Sequence, residues 1–149
     1  LFPYTTLFRS AQLAYDAGAD YVTVLGITDD LTIKGCVEQA QKQVRQVMVD
    51  LICVENFAKR VPIIEAFGVD IIAVHTGADQ QQAGRTPLED LKELKQYTKD
   101  VQVAVAGGIN AETIGDYVAL DPDIVIVGSG ILKADDPVAA AKEMKAALN

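Results

Sequence analysis

Short apolar runs recur along the chain, and each is nearly continuous instead of alternating with polar residues. The runs cover residues 21–25, 47–51, 70–74, 101–106 and 124–127, and they are rich in Val and Ile. Continuous runs of this kind are typical of parallel strands whose two faces are both covered. They begin about 23 to 31 residues apart, which is the spacing of βα units. The pattern therefore predicts an α/β protein with five parallel strands.

Capped segments between the runs predict the intervening helices. The Thr-Pro pair at 86–87 and the Asp-Pro pair at 136–137 each place a cap ahead of a proline at the first helical position. Asp29, Asp30 and Asn110 offer further caps. We expect Pro62 to kink or divide the helix in which it falls. The predicted helices cover residues 30–43, 56–67, 86–98, 110–118 and 136–148.

A repeated feature points to a barrel. An aspartate stands just before three of the runs, at Asp20, Asp70 and Asp123. Repetition of one βα design suits a (β/α) barrel, although turns before strands favour Gly and Asp in any fold. Residues 11–149 hold five units of about 28 residues, and eight such units would take about 222, close to the ~250 of a complete barrel. We therefore expect a partial TIM (β/α)8 barrel, containing about the last five βα units.

The alternative fold is a complete, doubly wound sheet of five strands. Such a sheet should carry a glycine-rich phosphate loop after its first strand, and none is found there. The glycine-rich turns follow the last two runs instead, which favours the barrel.

Composition and charge exclude some function classes. The formal net charge of −8 argues against non-specific nucleic-acid binding, which needs a basic face, but backbone N–H groups can still hold a small anion. No apolar run approaches the ~18 residues that a membrane span needs. Cys36 and Cys53 have neither a CxxC nor a zinc-ligand spacing, so we interpret them as reduced thiols of a cytoplasmic protein.

Two side chains at predicted strand ends are candidate catalytic groups. In a barrel, functional residues lie at the carboxyl ends of the strands and in the loops that follow. Asp50 ends the second run, where a carboxylate serves either an ion pair or a site. His75, the one histidine of the chain, directly follows the third run. A structural hydrogen bond is the alternative role for each.

Two glycine turns follow the last two runs, at Gly107–Gly108 and at Gly128–Ser129–Gly130. Glycine lets backbone N–H groups converge on an anion without a Cβ in the way. TIM barrels commonly hold a phosphate group after their last two strands. We therefore take Gly107, Gly108, Gly128 and Ser129 as the candidate phosphate-binding residues.

Four stretches together resemble the 3-hexulose-6-phosphate synthases, a family in the orotidine 5′-monophosphate decarboxylase suprafamily of (β/α)8 barrels. They are AGADYVTVLGITDDLTIKG, GVDIIAVHTGADQQQAG, VAVAGGI and PDIVIVGSGI, and the resemblance runs from Ala17 to Asn149. It implies a lyase that condenses formaldehyde with D-ribulose 5-phosphate to D-arabino-3-hexulose 6-phosphate, with Mg²⁺ stabilising an enediolate. It also implies a homodimer whose active sites share residues across the interface.

The resemblance also assigns roles to the candidate residues. His75 matches a strand-end histidine that acts near the reacting carbons, and Asp50 matches a carboxylate near the catalytic lysine. The two glycine turns match the phosphate-binding turns. The lysine and the metal ligands belong largely to a D-x-K-x-x-D motif that should lie just before residue 11. We therefore expect the metal ligands outside the residues present.

Two positions distinguish this chain from the sibling family, the 3-keto-L-gulonate-6-phosphate decarboxylases. The sibling has an arginine where this chain has Ala78, and another where it has Ser129. Both differences favour the synthase, and they leave the decarboxylase or another ribulose-phosphate barrel enzyme as the alternative. An alternative of another class is a non-catalytic fragment that binds sugar phosphate through the glycine turns.

Residues 1–10, LFPYTTLFRS, stand where the D-x-K-x-x-D motif is expected. The string matches one translated reading frame of a common sequencing-adapter oligonucleotide; a divergent natural N-terminus is the alternative. We interpret 1–10 as a non-native segment and 11–149 as the C-terminal part of a single barrel domain. A sheet without its first units has an exposed first strand, so we expect this polypeptide alone to be poorly soluble or unstable, and inactive.

Overall fold

The computed structural model describes residues 4–148, apart from the side chains of residues 4–8 and of Ala78. The strands are β1 (Tyr21–Leu25), β2 (Gln46–Asp50), β3 (Ile71–His75), β4 (Gln102–Ala106) and β5 (Ile124–Ile126). The helices are α1 (Tyr4–Asp16), α2 (Asp30–Gln43), α3 (Phe57–Glu65), α4 (Ala78–Gln82), α5 (Pro87–Leu94), α6 (Ile114–Val118), α7 (Ser129–Leu132) and α8 (Pro137–Ala147). All five predicted strands are present, and no end differs from the prediction by more than one residue.

The strand order separates the two predicted folds. All five strands pair in parallel, in the order β1-β2-β3-β4-β5. A doubly wound sheet would reverse its strand order and carry helices on both faces. Here each new strand is added at the same edge, and the main core joins the helices to one face of the sheet. The doubly wound alternative is therefore wrong, and the sheet has the topology of a partial (β/α)8 barrel.

The two faces of the sheet bury different residues, because successive side chains of a strand point to opposite sides. The face toward the helices, here the helix face, contributes a row of branched side chains to the main core (Val24, Val47, Val49, Ile72, Val74, Val103 and Val105). The opposite face, here the cavity face, carries a smaller cluster in which Ile71, Ala73 and Ala104 are buried. Asp50 and His75 share the register positions of the cavity face.

The repeated aspartates connect the amino ends of neighbouring strands. Asp70 Oδ2 accepts a 2.8 Å hydrogen bond from the backbone N–H of Val47. Asp123 Oδ2 accepts one of 2.7 Å from the backbone N–H of Val103. The side chain of Asp20 forms an ion pair instead. Two of the three copies therefore satisfy a backbone donor where the preceding strand begins.

Side-chain caps begin four of the helices. The predicted caps Asp29, Thr86 and Asp136 each accept a backbone N–H of the first turn, in α2, α5 and α8, and Asn56, which was not predicted as a cap, does the same in α3. Helix α6 begins at Ile114, later than predicted, because the residues between it and the cap at position 110 form a turn.

Helix α3 continues through Pro62, so this proline does not divide it. The Arg60 N–H donates to the Asn56 carbonyl oxygen, and the Ala66 N–H donates to the Pro62 carbonyl oxygen. Pro62 has no N–H, so it cannot donate a helical bond to the carbonyl oxygen four residues before it. Helices α4 and α7 were not predicted, because segments of five and four residues are too short for a periodic pattern.

Helix α1 was not predicted either. It begins at Tyr4, inside the segment interpreted as non-native, and continues to Asp16. A helical conformation does not bear on the origin of the segment, so the boundary between residues 10 and 11 stays a prediction. Residues 1–3 lie outside the described part of the chain.

Strand β1 is an edge strand within the described residues, since it pairs with β2 alone. Tyr21 and Leu25 on this strand are 52 % and 42 % exposed, which confirms the expected exposure of the first strand. Cys36 and Cys53 form no disulfide; the first is buried and the second exposed. Across residues 4–148, no helix has the length and apolar character to cross a bilayer.

Candidate functional site

A cavity of about 350 Å³ opens at the carboxyl edge of the sheet, on the cavity face. Strand residues and the loops that follow them form its lining. The structure brings together in this lining all the candidate site residues of the sequence, namely Asp50, His75, Gly107, Gly108, Gly128 and Ser129. They converge because parallel strands bring their carboxyl ends to one edge of a sheet.

Asp50 and His75 form a hydrogen-bonded pair across neighbouring strands. Asp50 aligns with Ala73, and His75 lies two residues further along the same strand, so both side chains project from the cavity face. His75 Nδ1 lies 2.9 Å from Asp50 Oδ2, and the backbone N–H of Ile52 donates a 2.8 Å bond to Asp50 Oδ1. Both carboxylate oxygens are therefore fixed. The Asp50 side chain is 17 % exposed and that of His75 38 %.

This pairing determines which nitrogen of His75 can act on a ligand. An ionised carboxylate accepts hydrogen bonds and donates none, so Nδ1 carries the proton that points at Asp50. In the neutral ring, Nε2 is then the basic nitrogen, able to accept a proton at the cavity. The structural and functional roles considered for these two residues are thus compatible, since the structural bond orients the functional ring.

The Gly107–Gly108 turn requires glycine at both positions. The φ angle is +120° at Gly107 and +64° at Gly108, a region that L-residues rarely adopt. A Cβ on Gly107 would lie 2.6 Å from the Thr76 carbonyl oxygen, and one on Gly108 would lie 2.6 Å from Gln81 Oε1. No described residue accepts a hydrogen bond from the backbone N–H of Gly108 or Ile109. The turn therefore offers backbone donors beside the cavity, which suits an anion.

The second glycine turn packs against the first through Gly130. A Cβ at Gly130 would collide with the Ile109 carbonyl oxygen, so glycine is required for this approach. At Gly128, by contrast, a Cβ would meet no atom within 4 Å. Ser129 is exposed at the start of α7. The contact at Gly130 therefore explains how the two turns come to lie side by side.

A family model described as the orotidine 5′-phosphate decarboxylase / HUMPS family matches residues 5–144. The chain belongs to this family. The match includes all five strands, the Asp50–His75 pair and both glycine turns. The suprafamily inferred from the four sequence stretches is therefore confirmed.

Within this family, the chain is similar to proteins named 3-hexulose-6-phosphate synthase. A 3-hexulose-6-phosphate synthase from Staphylococcus epidermidis is 51 % identical over 131 residues, which make up 88 % of this chain and 62 % of the relative. The chain therefore spans less than two thirds of that relative. The crystal structure of a 3-hexulose-6-phosphate synthase from Salmonella typhimurium matches with a TM-score of 0.92 at 48 % identity, over 96 % of this chain and 68 % of that one.

A decarboxylase with the same fold has a lower sequence identity to this chain than the synthases have. The 3-keto-L-gulonate-6-phosphate decarboxylase from Vibrio cholerae matches with a TM-score of 0.79 at 19 % identity, over 96 % of this chain and 67 % of that one. At this identity the likeness establishes the shared fold alone. The chain is thus much more similar to the synthases than to this decarboxylase.

The described residues do not assemble a metal site by themselves. Among residues 4–148, no group of three His, Cys, Asp or Glu side chains could hold an ion. Asp50 is the carboxylate of the cavity lining that the structure describes, and both of its oxygens already accept a hydrogen bond. A Mg²⁺ ion needs several oxygen ligands at fixed positions, so these residues alone do not fit it.

Some residues of the site escaped the sequence analysis. Met48 and Ala73 line the cavity two residues before Asp50 and His75, so the period of a strand could have identified them. Gln81 stands against the Gly107–Gly108 turn from a segment remote in sequence. No sequence pattern marks a contact of that kind.

A larger cavity, of about 450 Å³, lies outside this site, between the loops that follow β1 and β2. Its lining includes Lys59 and Arg60. Arg60 directs its guanidinium to the carbonyl oxygens of Gly26 and Thr28, at 2.7 and 2.9 Å, and so holds the loop after β1. We regard the smaller cavity as the functional site because it joins an oriented histidine to free backbone donors.

Proposed function

We propose that these residues belong to a 3-hexulose-6-phosphate synthase, a lyase that joins formaldehyde to D-ribulose 5-phosphate and forms D-arabino-3-hexulose 6-phosphate. The observation that carries the proposal is the convergence of the Asp50–His75 pair and the two glycine turns on one cavity. Identity of about half to enzymes of this name supports the choice within the family.

The two glycine turns are proposed to bind the phosphate group of the sugar. Gly108 and Ile109 have backbone N–H groups without a partner among the described residues, and both line the cavity. Gly128 and Ser129 border the same space. Backbone donors can bind a dianion in a protein of net charge −8, because the interaction is local and directional.

His75 is proposed to move protons at the reacting carbons. Removal of a proton from C1 of ribulose 5-phosphate leaves an enediolate, whose C1 attacks the carbon of formaldehyde. The carbonyl electron pair of formaldehyde moves onto its oxygen, which then takes up a proton. Nε2 of His75 could accept the first proton and return it to that oxygen, while Asp50 holds the ring in position.

The Mg²⁺ requirement and the homodimer are proposals that rest on the resemblance, and the cytoplasmic location is a proposal that rests on the cysteine pattern. The described residues lack a complete ligand set, so the metal would need ligands from the part of the relatives that this chain does not match. The same part would supply the expected lysine.

Two other functions remain as alternatives. The sibling activity, decarboxylation of 3-keto-L-gulonate 6-phosphate, is disfavoured by the low identity to such enzymes. The alternative of another class is a non-catalytic role in binding sugar phosphate, for which the two glycine turns beside the cavity are the supporting feature.

The deciding experiment uses ¹³C-labelled formaldehyde, ribulose 5-phosphate and Mg²⁺, with the product followed by NMR. Two proteins are compared: the chain itself, and the chain joined to the part of the Staphylococcus epidermidis relative that it does not match. We expect a labelled hydroxymethyl carbon with the joined protein. Release of CO₂ from 3-keto-L-gulonate 6-phosphate would indicate the sibling activity instead. Binding of ribulose 5-phosphate by both proteins without turnover by either would indicate the non-catalytic role.

A further inference from the structure

A short segment after β3 fastens the Gly107–Gly108 turn to the strand end that carries His75. This segment, here called the β3 strap, comprises residues 77–85 and contains α4. It leaves the sheet directly after Thr76, whose backbone N–H donates to the Ala106 carbonyl oxygen at 3.4 Å, just beyond the last paired residues of β3 and β4. The strap therefore starts where the two strands separate.

Gln81 is the residue of the strap that meets the glycine turn. Its Nε2 donates a 2.7 Å hydrogen bond to the carbonyl oxygen of Thr76. Its Oε1 and Nε2 lie so close to the turn that neither Gly107 nor Gly108 could carry a Cβ without a close contact with this side chain. One amide group thus touches both the end of β3 and the turn after β4.

The residues at the two ends of the strap are both anchored to Asp90. Thr76 is fully buried, and its hydroxyl donates a 2.7 Å bond to Asp90 Oδ2. Arg85 Nε, at the end of the strap, donates to both oxygens of Asp90, at 2.8 and 3.0 Å. Since Asp90 is 6 % exposed, this charged pair is shielded from water on the carboxylate side. Both ends of the strap are therefore fixed, and Gln81 is held against the turn.

We propose that Gln81 is a positioning residue, which holds the Gly107–Gly108 turn in the conformation that presents its backbone N–H groups to phosphate. The inference rests on the phosphate role of this turn in the proposed function. A glycine pair is free to adopt many conformations, so its N–H groups point in one direction only if a neighbour restricts it. Gln81 provides that restriction from the side, because its hydrogen bond to the Thr76 carbonyl oxygen holds its amide group against Gly107 and Gly108.

The test compares Gln81→Ala with Gln82→Ala, because Gln82 is the adjacent residue of α4 and its side chain is exposed. A third variant, Gln81→Met, keeps the length of the side chain but lacks the amide. Dissociation constants are measured for ribulose 5-phosphate and for unphosphorylated ribulose. Backbone amide resonances of Gly107 and Gly108 are recorded in the same samples, and thermal melts check folding.

We expect Gln81→Ala and Gln81→Met to weaken ribulose 5-phosphate binding about fivefold to tenfold, the effect of one hydrogen bond. Ribulose binding should not change, and Gln82→Ala should behave as the unaltered protein does. A general loss of structure would weaken both ligands, so the difference between them separates positioning from folding. Equal affinity for ribulose 5-phosphate in Gln81→Ala and in the unaltered protein would overturn the inference.

Failure of the proposed phosphate role of this turn would look different. The unaltered protein would then bind ribulose 5-phosphate no better than unphosphorylated ribulose, and the amide resonances would decide about Gln81. If Gln81→Ala shifts the Gly107 and Gly108 resonances and Gln82→Ala does not, Gln81 holds the turn whatever its ligand. If neither variant shifts them, the inference is wrong.

Discussion

The helix face and the cavity face are built from the same five strands, yet they differ in almost every property. On the helix face, the strands present Val and Ile side chains without polar ones between them, and these pack against the helices. The cavity face combines large apolar side chains such as Ile71 with small and polar ones, and its carboxyl edge has an oriented histidine and two glycine turns. Ile126 on this face is 40 % exposed, whereas Ile72 on the helix face is fully buried.

The difference shows that stability and function are assigned to opposite sides of one sheet. Large branched side chains gain the most from burial, so the helix face contributes most of the apolar core. A binding site needs space and unpaired donors. Ala73 and Ala106 leave space on the cavity face, and the N–H groups of Gly108 and Ile109 are the unpaired donors. Substitutions on the two faces should therefore affect different measurements.

The largest effect on stability is expected for Ile72→Ala. This side chain is fully buried, so truncation should lower the free energy of unfolding by about 2–5 kcal/mol. Ile126→Ala removes the same atoms on the cavity face, where partial exposure should keep the loss below about 1 kcal/mol. Urea unfolding of both variants measures the two values. Equal losses would contradict the distinction between the faces.

The largest effect on activity is expected for His75→Asn. If His75 transfers protons, kcat in the joined protein should fall about 100-fold or more. The free energy of unfolding should change little, because the ring is partly exposed and its one described bond is to Asp50. The assay is condensation of formaldehyde with ribulose 5-phosphate, and Asn110→Ala, outside the cavity lining, serves as the control. An unchanged kcat would exclude the proton-transfer role.

Alanine substitutions in the two glycine turns should have different effects on stability. Gly108→Ala places a Cβ at φ +64° and against Gln81, which should cost about 1–2 kcal/mol and weaken ribulose 5-phosphate binding. Gly128→Ala places a Cβ in open space at φ −107°, so its stability should be close to that of the unaltered protein. Denaturant midpoints compare the two. A more damaging Gly128→Ala would contradict the geometry of the turns.

The smallest effect is expected at Glu65, at the amino end of the sheet. Its Oε1 accepts backbone N–H groups of Lys99, Asp100 and Val101 at 2.8, 3.0 and 3.3 Å. Burial raises its pKa, but these donors and the Lys99 charge outweigh it, so the net pKa lies below its usual 4.5. A lowered carboxyl pKa in the folded state adds stability above the unfolded pKa, and this stability is lost as the pH falls through the folded pKa.

Glu65→Gln should therefore be slightly less stable than the unaltered protein at pH 7, and the difference should shrink below about pH 4.5. Thermal melts from pH 3 to pH 7 would measure it. Glu38→Gln, at an exposed helical position, is the matched control. A difference that grows toward low pH would mean that the sign of the pKa shift is wrong.

The strands could be predicted well from the sequence, because a strand that is buried on both faces consists of a continuous run of apolar residues. The gathering of Asp50, His75 and the glycine turns was also predictable, because parallel strands end at one edge. The Asp50–His75 bond was not, since it depends on the register of β2 against β3, which aligns Asp50 with Ala73. The role of Gln81 could not be predicted for a similar reason, because its contacts depend on how the β3 strap folds back against the Gly107–Gly108 turn.

Some helices were predicted and others were missed, and the presence of a side-chain cap explains which. Side-chain caps mark the starts of α2, α3, α5 and α8, because an oxygen at the cap satisfies an otherwise unpaired N–H. Helices α4 and α7 are single turns in loops and have no such cap. Pro62 was expected to kink or divide its helix; the hydrogen bonds on either side of it show that it does not divide α3, and the kink stays a prediction.

We propose above that the cavity face binds a sugar phosphate at its carboxyl edge. The most direct test follows backbone amide resonances while ribulose 5-phosphate is added, with unphosphorylated ribulose as the reference. We expect shifts specific to the phosphate at Gly107, Gly108, Gly128 and Ser129. Shifts confined to the larger cavity beside Lys59 and Arg60, or no shifts at all, would contradict it.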